Sequence, residues 1–188
     1  MKKFSAREIL VPTISLFLIS AVVTLLLAVT NSVTAPKIEE LQIETENRTN
    51  TAVLSTADSF SDAMTVSLDG TDYTYYEGYG SDGAITGYVI TAVTKGYGGE
   101  LSVMVGVNGD GTVSGIDFLS ISETAGLGMN AQKDEFKEQY VGKSGQIGVA
   151  KNSPSDTEIQ ALTGATITSK AVTAAVNEAL KVFEEVHG

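Results

Sequence analysis

From Ile9 to Val29 almost every position is apolar, and no charged residue occurs between Ile9 and Pro36. A helix crossing a bilayer takes about 20 residues, so this run predicts a transmembrane helix over residues 9–31, preceded by a short N-terminus of residues 1–8. Pro12 falls in its first turn, where a missing N–H does little harm. Residues 32–62 form a polar stem. It reads as helical from Pro36 to Ala57, with Ile38, Leu41, Val53 and Leu54 as its apolar contacts. From Met64 the pattern changes to short β-prone runs, at Met64–Leu68, Tyr73–Tyr76, Ala84–Thr94, Leu101–Val107 and Val113–Leu119. Asp69-Gly70, Asp82-Gly83 and Asp110-Gly111 separate several of them, and Asp-Gly between alternating runs signals a hairpin. The strands therefore read as an antiparallel meander.

A Gly-containing loop follows, then a short helix near Asp134–Tyr140 and a brief strand near Gln146–Ala150. In the last segment Ala171, Val172, Ala175, Val176, Ala179, Leu180 and Phe183 repeat with helical period. Thr168 or Ser169 is placed to cap that helix. Strands first and helices later predict an α+β domain over residues 63–188, a sheet meander with flanking helices on one face.

Charge fixes an orientation. Lys2, Lys3 and Arg7 precede the apolar run, which puts the N-terminus in the cytoplasm and the bulk of the chain outside. A retained anchor is favoured over a cleaved signal peptide. The run exceeds the 7–15 residues of a signal core, and Pro36 directly follows the small-residue stretch Val33-Thr34-Ala35 where a cut would fall. Beyond the run the chain holds 9 basic and 22 acidic residues, a net of −13. That much negative charge argues against nucleic acid and anionic lipid headgroups as partners.

Composition removes most catalytic chemistry. The 188 residues contain no Cys and one His, His187, next to the last residue. Thiol nucleophiles, iron–sulfur clusters, His-rich metal sites and Ser/His/Asp triads are thereby disfavoured. No metal site and no catalytic side chain is expected, and any chemistry falls to a cofactor. Gly142-Lys143-Ser144 lacks the glycine that a phosphate-binding P-loop carries five positions earlier. Asn108-Gly109-Asp110-Gly111 reads as a hairpin turn rather than a calcium loop.

The richest stretch is Leu162-Thr163-Gly164-Ala165-Thr166-Ile167-Thr168-Ser169, directly ahead of the C-terminal helix. A helix N-terminus presents free N–H groups and positive dipole, which suit a phosphate. Gly164 and Ala165 leave room for a phosphate, and for an enzyme, to approach the backbone. An ordinary helix entry has the same composition. Two Gly-rich loops, Lys95–Glu100 and Ser122–Gly128, fall at strand ends, where loops on a rigid sheet commonly bind ligands.

The T-G-A-T-x-T-S stretch resembles the covalent flavin-attachment motif of bacterial FMN-binding domains, in which the last Thr of the core, here Thr166, carries FMN through a phosphoester. The order of features is also informative: an inside-positive anchor, an acidic outer domain, K-G-Y-G-G, E-T-A-G-L-G-M-N-A, then T-G-A-T-I-T-S-K-A-V. That order resembles the G subunits of Rnf ion-translocating electron-transport complexes, which are similar to the C subunits of sodium-pumping NADH:quinone reductases. Gln160 and Ala125 stand where many members have Asp and Pro.

The resemblance implies covalent FMN on Thr166, with Thr163, Gly164 and Ala165 around the attachment point. The loop residues themselves suit a flavin wall: Gly96, Gly98, Gly99, Gly126 and Gly128 offer close backbone, and Leu127 and Tyr97 offer apolar surface, with Glu123 and Thr124 beside them. Thr124 would donate to the ring, and the Glu123 charge would disfavour the anionic reduced flavin. The resemblance further implies a one-electron relay on the outer membrane face, in a complex that oxidises ferredoxin, reduces NAD⁺ and drives Na⁺ or H⁺ outward. The partners would be the other membrane and peripheral components of that complex, together with a flavin transferase. Two alternatives remain from other classes: a flavin-carrying domain of another extracytoplasmic reductase, and a cofactor-free anchored scaffold.

Overall fold

The computed structural model describes residues 6–188; Lys2 and Lys3, on which the orientation argument partly rests, lie outside the described residues. The chain divides into two compact units, Met1–Glu44 and Thr45–Gly188. The first helix, α1, runs from Ala6 to Val53 with Pro12 and Pro36 inside it. The helix is long and apolar enough to cross a membrane, with a window of mean hydropathy 2.5. Residues 45–62, expected in the stem, belong to the second unit.

That unit is built on a six-stranded antiparallel sheet. Its strands are β1 (Ser59–Phe60), β2 (Met64–Leu68), β3 (Thr71–Tyr79), β4 (Ile85–Lys95), β5 (Glu100–Asn108) and β6 (Val113–Ser120). The order is β1-β3-β4-β5-β6, and β2 shares the β3 edge with β1. The five expected runs all form strands. Asp69 and Gly70 both take positive φ, 52° and 80°, as a two-residue turn between paired Leu68 and Thr71 demands. After the sheet come a 3-10 turn at Gly128–Gln132, α2 (Asp134–Lys137) and a further 3-10 turn to Tyr140. The expected short helix is thus a single α turn that tightens. Strands β7 (Gly148–Ala150) and β8 (Glu158–Gln160) pair in parallel. The chain closes with α3 (Thr166–His187).

Strand alternation sorts the core onto two faces. Tyr88, Ile90 and Ala92 of β4 join Leu101, Val103, Val105 and Val107 of β5 against Ala171, Val172, Ala175, Val176 and Ala179 of α3. Val89 and Met104 point the other way, into a second cluster with Val53, Leu54, Ala57 and Tyr76. Helical packing is therefore not confined to one face, because the end of α1 covers the second.

Close approach there depends on glycine. A Cβ added at Gly106 would stand 2.1 Å from the Val53 carbonyl oxygen, and one at Gly78 would stand 2.6 Å from Leu54 Cδ2. The register pairs Gly78 with Gly87 and Gly106 with Gly115, opening a smooth track for residues 53 and 54. Tyr76 adds a polar tie to the same helix, donating to Glu46 Oε2 at 2.9 Å.

Candidate functional site

The start of α3 is held without a capping side chain. Ala165 is the residue before the first helical position, and no side-chain hydrogen bond caps it. Thr168 and Ser169 lie inside the helix and are buried, which corrects the expectation that one of them caps it. The first bond of the helix runs from Ser169 N to the Ala165 carbonyl at 3.0 Å. The N–H groups of Thr166, Ile167 and Thr168 precede it and so lack intrahelical acceptors.

The turn ahead of the helix is fixed from below. Ala165 N donates to Leu162 O at 3.0 Å, and the Ser169 hydroxyl accepts Leu162 N–H at 2.9 Å. Thr173 Oγ1 donates to Ser169 O at 2.9 Å and lies 2.8 Å from the Tyr140 hydroxyl. Burial pushes the Tyr140 phenol well above its usual range, so it stays neutral in this hydroxyl chain. Gly164 takes the left-handed conformation that favours glycine. Its φ is +77°, and an added Cβ would lie 3.0 Å from Leu127 Cδ2.

Opposite this turn stand the two Gly-rich loops. Gly96–Gly99 closes the β4–β5 hairpin, with Gly96 N donating to Gly99 O at 2.7 Å. Thr124–Leu127 forms a turn in which both Leu127 N and Met129 N donate to Thr124 O, at 3.1 and 3.2 Å. Asn130 Nδ2 fixes it from below by donating to Gly126 O at 2.8 Å. The Glu123 carboxylate bridges the loops, accepting Tyr97 N at 2.7 Å and Gly98 N at 3.3 Å.

Between the loops and the helix start opens a cavity of about 550 Å3. Tyr97, Glu123, Thr124, Leu127 and Gly128 line one side, and Gly164, Ala165, Thr166, Ile167 and Thr168 line the other. Tyr97, Ile167 and Leu127 are 72, 56 and 43 % exposed, so three apolar side chains face the cavity largely uncovered. Seven of the ten expected site residues line this space. Gly98 and Gly99 do not; they shape the loop behind it. Thr163 lies on adjoining depressions instead, one of which has Lys151, Asn152, Gly164 and Thr166 on its walls. Ile167 and Thr168 line the cavity although the sequence pattern alone does not place them there. Their signal was a Thr followed by an apolar residue in the first turn of the helix. Among the described residues no cluster of three or more potential metal ligands occurs.

The family model described as the FMN-binding domain matches residues 96–181, a span that contains both loops and the start of α3. The G subunit of the Na⁺-translocating ferredoxin:NAD⁺ oxidoreductase complex of Acetobacterium woodii is 37% identical over 186 residues, covering 91% of this chain and 89% of that protein. The G subunit of the proton-translocating ferredoxin:NAD⁺ oxidoreductase complex of Clostridium ljungdahlii is 36% identical, covering 84% of this chain and 82% of that protein. The corresponding G subunit of the ion-translocating oxidoreductase complex of Methanosarcina acetivorans is 32% identical, covering 97% of this chain and 98% of that protein. Among solved structures, the C subunit of the Na⁺-translocating NADH-quinone reductase from Parabacteroides distasonis superposes with a TM-score of 0.61. It is 21% identical, and the match covers 75% of this chain and 91% of that one, a likeness of fold. With near full-length similarity at these identities, the chain belongs to the G-subunit family of ion-translocating ferredoxin:NAD⁺ oxidoreductase complexes.

Proposed function

We propose that this chain is a membrane-anchored electron relay whose FMN is joined by a phosphoester to Thr166, within a complex that passes electrons from ferredoxin to NAD⁺ and moves Na⁺ or H⁺. The observation that carries the reading is the position of Thr166. It begins an uncapped helix on the wall of a cavity whose opposite side carries Tyr97, Glu123, Thr124, Leu127 and Gly128.

The residues fit the group. Unpaired N–H groups of the first helical turn suit a phosphate, and Gly164 leaves its approach open. The cavity falls within the 300–1,000 Å3 common for cofactor sites, and Tyr97, Leu127 and Ile167 offer apolar surface for a planar ring. When bound, FMN supplies the electron acceptor and donor. The protein's own part is to bind and orient. Thr166 holds the phosphate end, Thr163, Gly164 and Ala165 present that threonine, and the buried Ser169–Thr173–Tyr140 chain keeps the turn in place. Glu123, Thr124 and Gly128, backed by Gly98 and Gly99, form the far wall.

A flavin transferase makes the phosphoester, and α1 crosses the membrane once with the bulk of the chain outside the cytoplasm. A covalent link suits that location, since a cofactor lost outside the cell cannot be recovered.

Replacement of Thr166 by Ala tests the assignment. Flavin fluorescence of the denatured chain in a gel falls to background, while stability changes by no more than about 0.5 kcal/mol, as at other half-exposed positions. Thr163→Ala and Thr168→Ala retain flavin. A Thr166→Ala chain with wild-type fluorescence overturns the attachment.

A further inference from the structure

The Glu123 carboxylate sits between two glycines and, among the described residues, is bound by backbone N–H groups alone. An added Cβ at Gly96 would stand 2.1 Å from Glu123 Oε1, and one at Gly128 would stand 2.7 Å from Oε2 and 2.8 Å from Glu123 Cβ. Gly98 presses on the preceding residue, where an added Cβ would stand 2.2 Å from Ser122 O. Three glycines from two separate loops thus make space for one carboxylate and its strand end. No ion pair to Glu123 occurs among the described residues; the charge is met by the Tyr97 and Gly98 N–H groups. Charge-assisted bonds of that kind are roughly twice as strong as neutral ones.

Tyr97 itself has little else to hold it. Tyr97 is 72 % exposed, and its loop is closed by the Gly96–Gly99 backbone bond above the paired Lys95 and Glu100. Among the described residues, the bonds from Tyr97 N and Gly98 N to Glu123 are the hydrogen bonds that tie this loop to the Ser122–Gly128 segment.

We infer that Glu123 is a positioning residue, clamping the Gly96–Gly99 loop onto the Ser122–Gly128 segment so that Tyr97 forms one wall of the flavin cavity. This rests on the flavin reading of that cavity. It gives Glu123 a role through the Tyr97 loop, in place of a charge acting directly on the ring. The two roles separate experimentally, because Gln at this position keeps an oxygen acceptor for Tyr97 N but removes the charge, whereas Ala removes both.

Hydrogen exchange of the flavin-free full-length chain in detergent tests the clamp without reference to cofactor. Glu123→Ala accelerates exchange at residues 97 and 98 by about tenfold or more, as expected for loss of charge-assisted bonds, and Glu123→Gln restores most of the protection at residue 97. In the flavin-loaded chain, iodide quenching of flavin fluorescence rises in Glu123→Ala and in Tyr97→Ala. The double variant rises no further, because both changes remove the same wall. Unchanged exchange in Glu123→Ala overturns the clamp. So do additive quenching effects, or a midpoint potential that shifts as far in Glu123→Gln as in Glu123→Ala. If the wild-type chain carries no flavin at all, the flavin reading fails, and the exchange measurement still decides the clamp.

Discussion

Ser169 and Leu162, seven positions apart, are joined by a hydrogen bond of 2.9 Å from the Leu162 N–H to the Ser169 hydroxyl. The same hydroxyl donates to Ala165 O at 3.0 Å, so one buried side chain holds both ends of the turn that presents Thr166. Ser169 is fully buried. Ser169→Ala leaves the Leu162 N–H without that partner, at a cost of about 1–3 kcal/mol. A drop of several degrees in melting temperature follows, together with slower covalent flavin incorporation. Wild-type melting and wild-type incorporation in Ser169→Ala would mean that the turn is held by other contacts.

Much of this architecture is legible in the sequence, for local reasons. Asp69-Gly70 encodes its turn because both residues tolerate positive φ, and strands β4 and β5 alternate because opposite faces of the sheet meet different surfaces. What escapes depends on pairing between distant segments. Gly78, Gly87, Gly106 and Gly115 are isolated in sequence, and only the register aligns them beneath Val53 and Leu54. Strand β8 has one buried residue, Ile159, between polar neighbours, too short a pattern to announce a strand without its partner β7. The helix start is misread by one turn for a related reason. A hydroxyl before a periodic apolar run looks like a cap, but Ser169 spends its hydroxyl on Leu162 and Ala165. That shift also hides Ile167 and Thr168, which a helix beginning at Thr166 turns toward the cavity.

The glycine track makes a prediction about stability. A Cβ at Gly106 meets backbone atoms, 2.1 Å from Val53 O and 2.6 Å from Val53 C, which cannot move as a flexible side chain can. At Gly109 the nearest atom is 3.5 Å away, an ordinary contact. Gly106→Ala should therefore destabilise the second unit by about 1–3 kcal/mol or more, while Gly109→Ala leaves it nearly unchanged. Thermal unfolding of both variants gives the contrast. Equal melting temperatures would mean that residues 53 and 54 do not lie against the sheet.

The anchor makes a prediction about processing. An apolar run longer than a signal core, with Pro36 directly after the small residues, predicts a chain that remains uncut. The protein extracted from membranes should begin ahead of Ile9 and stay there through alkaline washing. N-terminal sequencing that begins at Pro36 would remove the anchor from the mature protein.

Tyr76 predicts how stability responds to alkali. Its phenol, 7 % exposed, has a pKa pushed from 10.0 to about 12, first by burial and then by its bond to Glu46 and the negative charge of that carboxylate. The unfolded chain releases this proton near pH 10, whereas the folded chain retains it to about pH 12. Over that window the folded state binds more protons, so stability falls as pH rises. The contribution is complete below about pH 10 and is lost as pH climbs through about 12. Tyr76→Phe keeps the ring in its cluster and removes the titrating group. At pH 8 the variant should be weaker by about 0.5–1.5 kcal/mol, the usual value of one hydrogen bond. Between pH 10 and 12 its melting temperature should fall less steeply than that of the wild type. Some slope persists, because Tyr73, Tyr79, Tyr88 and Tyr140 are also raised. Melting curves at pH 8, 10, 11 and 12 measure the difference. Parallel slopes in the two chains would mean that the Tyr76 proton is not linked to folding and that its bond to Glu46 does not hold α1 to the sheet.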